Sequence, residues 1–393
     1  MQKKSVAVLG AGLVGSAIAV DLSSDFEVTA VDIDPLSLGK LIASANVKTL
    51  QKDLSRTRGL LSAVEGADIV VGALPGSMGF NMIKKLAAEK KDIVDISFFP
   101  EDPFLLDELA REHGITVITD CGVAPGMGNI ILGYHNKSMV VESYECYVGG
   151  LPVVREWPWE YKAVFSPIDV IEEYTRTARY IENGHMIERD ALSDPQLMHF
   201  KDIGTLEAWN SDGLRTLLKT MTIPNMIEKT LRYPGCIEYL RVLREAGFFS
   251  QQAIDIDGIK VRPIDVTARL LFPNWQLKPG EEDFTVMRII IKGSEMPPGK
   301  KGTPLAGEWL TTGRRKTITW SLHDRYDKST GTISMARTTG YTCAAAVHMI
   351  DRGMFSRKGI CPPEYLGENE ENFNFIMNYL SDRGVDYHKS SEL

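Results

Sequence analysis

Ser5-Val-Ala-Val-Leu-Gly-Ala-Gly-Leu-Val-Gly-Ser-Ala-Ile-Ala19 passes from an apolar run through three spaced glycines into small and aliphatic positions. The run over 6–9 predicts a buried parallel strand and 16–22 a helix, with Gly10, Gly12 and Gly15 in the turn between them. Gly10 permits the tight turn and Gly12 lets a pyrophosphate approach the backbone. Gly15 lets the helix pack on the strand with its free N–H groups facing the phosphates. A second strand over 26–31 delivers Asp32, twenty residues beyond Gly12, where a carboxylate accepts hydrogen bonds from an adenosine ribose. Asp32 also repels a 2′-phosphate and Ile33 offers no cation to offset it, so the expected cofactor is NAD.

Working outward, 35–45 predicts a helix and 48–53 a short strand ending in Asp53. That acid either sits by the adenine edge or opens the helix that follows. The stretch 67–75 predicts a buried strand broken at Pro75-Gly76, whose end falls where a sheet of this kind holds the nicotinamide ribose. Helices over 82–90 and 103–113 and strands over 93–96 and 115–118 complete six strands alternating with helices. The fold class is therefore α/β, a doubly wound parallel sheet with ligands expected past the strands' carboxyl ends. Asp95 and Asp120 fall at two of those ends, as candidates for proton transfer or for holding an ammonium group, or as ordinary cap and turn acids. The turn-rich stretch 120–129 reads as the crossing into a second domain.

With 393 residues the chain exceeds one compact core. A formal charge of −8 without a long basic block excludes a nucleic-acid surface. No apolar run approaches a membrane span, and the basic N-terminus runs straight into a strand, so a cytoplasmic protein without a cleavable leader is expected. Cys121, Cys146, Cys236, Cys343 and Cys361 are odd in number and hold no Cys-x-x-Cys pair, which suits reduced thiols and no metal.

Beyond the crossing the pattern changes. The stretch 143–148 alternates as a strand, and 149–152 with 156–161 reads as an aromatic loop able to line a cleft. Helices are expected over 168–181, 205–219 and 237–246, with 229–235 extended between them. Arg232 in that stretch could grip a substrate carboxylate or make a surface ion pair. Strands over 285–292 and 316–323 make this an α+β domain on a mostly antiparallel sheet. The chain returns to helix over 335–350 and 371–381, with His348 taken as structural.

These segments together resemble the saccharopine dehydrogenase family, most closely its lysine 6-dehydrogenase-like branch. The resemblance is carried by Gly10-Ala-Gly-Leu-Val-Gly15, Asp120 with Gly-Val-Ala-Pro-Gly-Met127, Tyr147-Val-Gly-Gly-Leu-Pro152, Glu160-Tyr161 and Val164-Phe-Ser166. Further along come Leu206-Glu-Ala208, Thr230-Leu-Arg-Tyr233, Met335-Ala-Arg337 with Tyr341-Thr342, and Pro362-Pro-Glu364. It implies a Rossmann domain over 1–122, an inserted α+β domain over 123–335 for substrate binding and dimerisation, and C-terminal helices over 336–393 returning to the first domain. It places the cofactor at Gly10, Gly12, Leu13, Val14, Gly15 and Asp32, with Ala73, Leu74 and Pro75 near the nicotinamide. The substrate cleft would involve Asp95, Asp120, Val123, Tyr161 and Arg232, with Val123 counted on the cofactor side as well. Cys236 stands where the family pattern has histidine, and Cys121 where an aliphatic residue is usual.

The implied activity is oxidation of an amino acid's amine by a nicotinamide dinucleotide, first of all deamination of the ε-amine of L-lysine, in a homodimer with no nucleic-acid or membrane partner. A saccharopine-type enzyme acting on a secondary amine is the first alternative. A non-catalytic NAD-binding sensor is the second.

Overall fold

The computed structural model describes residues 3–44, 46–296 and 314–392. The chain forms two compact units: one holds the residues up to Val140 with Met335–Tyr387, the other Val141–Glu295, the stretch ending at Ser334, and the C-terminal residues from His388. The division lies beyond the 122/123 boundary read from the turn-rich stretch, because the helix after that stretch belongs to the first unit.

The first unit alternates strand and helix: β1 (Ser5–Leu9), α1 (Leu13–Leu22), β2 (Glu27–Asp32), α2 (Pro35–Ser44), β3 (Lys48–Gln51), α3 (Thr57–Ala63), β4 (Ile69–Gly72), α4 (Gly76–Leu86), β5 (Asp92–Asp95), α5 (Asp107–Glu112) and β6 (Thr116–Ile118). Each neighbouring strand pair is parallel. Parallel strands covered by helices are apolar on both faces, and β4, all four residues of it buried, shows this best. Val70, Ile83, Ile93 and Val117 pack in one core. Helix α6 (Met127–His135) closes this part of the unit.

The second unit is more strand-rich than expected. It contains β7 (Met139–Pro152), α7 (Pro167–Thr175), β8 (Ala178–Glu182), β9 (His185–Arg189), β10 (Gln196–Phe200), β11 (Gly204–Asn210), α8 (Leu217–Thr220), β12 (Asn225–Arg232), α9 (Cys236–Glu245), the hairpin β13 (Ile254–Ile256) and β14 (Ile259–Val261), α10 (Pro263–Trp275), β15 (Asp283–Glu295) and β16 (Arg315–Arg325). Three expectations fail here. The helix over 205–219 is instead β11 followed by a single turn: Leu206 and Ala208 are buried while Thr205 and Glu207 are not, a period of two that pairs with β10 and β12. The helix over 168–181 stops at Thr175, and 178–182 becomes a strand pairing with β9 and β12. Residues 149–152 continue β7 and form no loop. The sheet is mostly antiparallel, with β12 parallel to β7.

The C-terminal part comprises α11 (Ser334–Asp351), β17 (Gly359–Cys361), α12 (Pro363–Gly367), α13 (Glu370–Ser381) and β18 (Tyr387–Glu392). It gives the first unit more than helices. β17 pairs with β6 as a seventh parallel strand, in the order β17-β6-β5-β4-β1-β2-β3; three residues were too short to read as a strand. Asp21 of α1 accepts hydrogen bonds from Tyr379 of α13 and from Arg383 just beyond that helix, and Asn129 of α6 donates to Glu364 of α12 at 3.0 Å. β18 joins the second unit's sheet beside β16.

Candidate active site

At the carboxyl end of the parallel sheet the three glycines divide their work. Gly10 has φ +103°, and a Cβ there would lie 2.3 Å from the Ala73 carbonyl oxygen. A Cβ on Gly15 would lie 2.1 Å from the Gly10 oxygen, whereas one on Gly12 would meet nothing within 4 Å. Gly10 and Gly15 are thus required by the fold, and Gly12 faces open space. The first N–H groups of α1 have no acceptor within the helix, and its first turn carries no acid. Leu13 and Val14 lie on this turn. Asp32 braces the loop: its Oδ2 accepts from Ala11 N–H at 2.6 Å and its Oδ1 from Asp34 N–H at 2.9 Å. Ala73, whose N–H donates to Leu9 O at 2.8 Å, leads through Leu74 to Pro75 at the start of α4. Loop, helix end and acid fit a dinucleotide. Asp53 is tied locally, accepting from Ser55 N–H and Oγ and lying 3.0 Å from Arg56, which together hold its pKa below the usual carboxylate value.

The two acids at the next strand ends differ. Asp95 is fully buried, accepts from Ser97 N–H at 3.0 Å and Ser97 Oγ at 2.9 Å, and lies flat on β4, since a Cβ on Gly72 would fall 2.0 Å from its Oδ1. Its backbone oxygen receives Cys121 N–H at 3.0 Å. Asp95 therefore organises the turn that carries Asp120. Asp120 sits at φ +55°, a left-handed conformation that aspartate tolerates better than most residues and that recurs at functional turns. Val123 is buried just after it and accepts from Met127 N–H at 3.1 Å. Burial, with the Asp95 and Asp120 charges added, raises the Cys121 thiol far above its ordinary value. It remains a thiol.

In the second unit, β12 carries Arg232 into an aromatic box. Its guanidinium carbon lies 4.5 Å from the Tyr161 ring centre, 5.9 Å from Tyr174 and 6.0 Å from Trp209. Its Nη2 donates to Glu173 of α7 at 2.9 Å. An ion pair was one of the two expectations for Arg232; burial is what differs, since only 3% of its side-chain surface is exposed. Burial raises the carboxyl pKa of Glu173 against the opposing pull of Arg232, and burial pushes the Cys236 thiol up to about 12. Tyr161 and Arg232 are thus brought together within one unit, as Asp95 and Asp120 are within the other. Sequence reasoning missed Glu173, Tyr174 and Trp209, whose spacings carry no sign of the box.

The fold and the open glycine loop define a dinucleotide-binding α/β chain with a second, sheet-based domain. The chain belongs to the saccharopine dehydrogenase family: residues 6–118 match the saccharopine dehydrogenase NADP binding domain and 122–385 the saccharopine dehydrogenase C-terminal domain. It is 27% identical over 270 residues to the saccharopine dehydrogenase [NADP(+), L-glutamate-forming] of Pyricularia oryzae, covering 64% of this chain and 59% of that protein. It is 27% identical over 230 residues to an alpha-aminoadipic semialdehyde synthase of Arabidopsis thaliana, covering 53% of this chain and 21% of that one. The chain therefore spans less than two thirds of the length of these two relatives. In fold it is similar to the apo saccharopine dehydrogenase (L-Glu forming) of Saccharomyces cerevisiae, with TM-score 0.75 and 20% identity over 99% of this chain and 100% of that one. A homospermidine synthase of Legionella pneumophila solved with NAD shares the fold at TM-score 0.67 and 10% identity, covering 100% of this chain and 92% of that one.

Proposed function

We propose that this chain is an NAD-dependent amino-acid dehydrogenase that oxidises the ε-amine of L-lysine and releases ammonia. The observation that carries this reading is the charge balance of the second unit. Arg155 is bonded to Glu160 and Lys162 lies 3.1 Å from Glu156, whereas Arg232, although paired with Glu173, keeps a buried Nε–H without a partner. A saccharopine-like substrate brings three carboxylates and calls for several uncommitted cations; lysine brings one carboxylate.

Bound at the glycine loop, NAD+ would supply the hydride acceptor. Asp120, directly or through a water, takes a proton from the ε-ammonium, because only a free amine lone pair can assist loss of hydride from the adjacent carbon. Asp95 positions that turn. Water then hydrolyses the imine. The thiols of Cys121 and Cys236, both raised by burial, are poor nucleophiles and serve as walls.

The names of the relatives favour a second reading, NADP-linked chemistry on a secondary amine. One assay separates the two. Purified protein with NAD+ and L-lysine at alkaline pH, where more amine is unprotonated, yields one ammonia per reduced cofactor under the first reading. Reduction with saccharopine, glutamate appearing and no ammonia, establishes the second. Asp120→Asn lowers turnover by about a hundredfold with cofactor affinity unchanged; normal turnover per folded molecule returns Asp120 to a turn role.

A further inference from the structure

The guanidinium of Arg232 has a half-used edge. Its Nη2–H donates to Glu173 Oε2 at 2.9 Å, while the Nε–H beside it is buried without a hydrogen-bond partner. A carboxylate seated on this edge in two-pronged fashion takes both N–H groups; Glu173 takes one. The hydroxyls of Tyr161 and Tyr174, whose rings flank the same guanidinium, are also buried without partners. Each hydroxyl can accept as well as donate, so the box around the cation holds unmet hydrogen-bonding capacity. The anion, by contrast, has somewhere to go: the Glu173 side chain keeps 21% of its surface exposed against 3% for Arg232.

An α-amino-acid head presents a carboxylate and an ammonium on one carbon, and each half of the Arg232–Glu173 pair complements one of them. Resting on the amino-acid reading above, we propose that this pair recognises the α-amino-acid head of the substrate: the incoming carboxylate takes the Nε/Nη2 edge of Arg232, and the displaced Glu173 carboxylate receives the α-ammonium. Until the ligand arrives, Glu173 stands in for its carboxylate and keeps the buried arginine neutralised. A lone carboxylate displaces Glu173 and offers it nothing in return. A lone amine leaves the arginine edge as it was. The pair therefore selects α-amino acids over simple carboxylates and diamines, and Glu173 is the residue that decides it.

Two ligands without an ε-amine test this independently of the lysine chemistry: L-norleucine, which has the whole head, and hexanoate, which lacks the ammonium. Binding to the full chain, with and without NAD+, is read from tryptophan fluorescence, Trp209 lying against Arg232. The unaltered protein is expected to bind norleucine at least about tenfold more tightly than hexanoate. Glu173→Gln reverses the order, weakening norleucine about tenfold and tightening hexanoate, while a parallel melting curve reports its folding. Equal affinities in the unaltered protein, no response to either ligand, or a Glu173→Gln variant that keeps the original order overturns the proposal. If that variant does not fold, the ratio measured on the unaltered protein decides alone. Head discrimination without lysine oxidation would leave this proposal standing and remove only the assignment of the ε-amine.

Discussion

The glycine loop of the first unit and the arginine box of the second are both candidate binding surfaces, built on opposite principles. At the loop the binding groups are main-chain N–H groups at the start of α1, and side chains matter chiefly by their absence: Gly12 faces open space. In the box the binding group is a charged side chain, sealed by Tyr161, Tyr174 and Trp209 and neutralised by Glu173. A main-chain site is as rigid as its sheet and can be spoiled without harming the fold. A buried charge site is tied to folding, because removing one partner leaves the other uncompensated. Ligand binding and stability should therefore separate in the first unit and move together in the second.

The sharpest break in this contrast is Gly12→Val. A branched side chain there enters only the space reserved for the diphosphate, so cofactor affinity should fall on the order of a hundredfold with the melting temperature preserved. Fluorescence titration beside a melting curve checks it, and unchanged affinity would remove the loop as the cofactor site. Gly15→Val, by collision with Gly10 O, should prevent stable folding altogether.

In the second unit the corresponding change is Arg232→Ala. It should raise the Michaelis constant for the amino acid and also lower stability by about 3 kcal/mol, since Glu173 loses its counter-ion. Replacing the pair together, Arg232→Leu with Glu173→Leu, should recover much of the stability and none of the substrate affinity. A substrate defect in Arg232→Ala with no change in denaturant midpoint would break the contrast.

A smaller effect is expected from Asp32→Ser with Ile33→Arg, which exchanges an acid for a cation where a 2′-phosphate would lie. Relative affinity should shift towards NADP by about tenfold. If the unaltered protein already prefers NADP, Asp32 has been misread, and its bonds to Ala11 N–H and Asp34 N–H would be its whole role.

The smallest effect concerns His348 of α11, which packs between Phe26 and Tyr379. Its Nε2 lies 3.7 Å from Asp25 and lacks a hydrogen-bond partner. Burial lowers its pKa, with Arg352 and Arg383 acting in the same direction and Asp25 and Asp21 opposing. A folded-state value below the free imidazole's value of about 6.5 means that its contribution is complete above that pH and is lost as pH falls through the folded value. His348→Phe should therefore flatten the acid side of the melting-temperature profile below about pH 6.5, by under about 1 kcal/mol. An unchanged slope would place the acid sensitivity elsewhere.

Where the sequence was legible, the information was local. β1, the glycine turn, α1 and β2 occupy consecutive residues, and each glycine is set by neighbours close in the chain or by a strand that must lie beside it. His348 shows the limit: its own helix marks it only as structural, and Asp25 reaches it only through the packing of α11 against the first sheet's helices. β11 misled because Thr205 to Lys219 holds good helix formers; its partners β10 and β12 made the alternation of Leu206 and Ala208 decisive.

From its own residues the chain determined a parallel sheet edged by a dinucleotide loop, because hydrophobic period and glycine geometry act over a few residues at a time. Tertiary structure alone decided that Asp95 turns inward onto Gly72 and Ser97. It alone set Glu173 against Arg232, fifty-nine residues away in sequence. The physical reason is common to both: the role of a charged side chain depends on which charge, ring or N–H group shares its burial, and that company is assembled only when distant strands and helices pack.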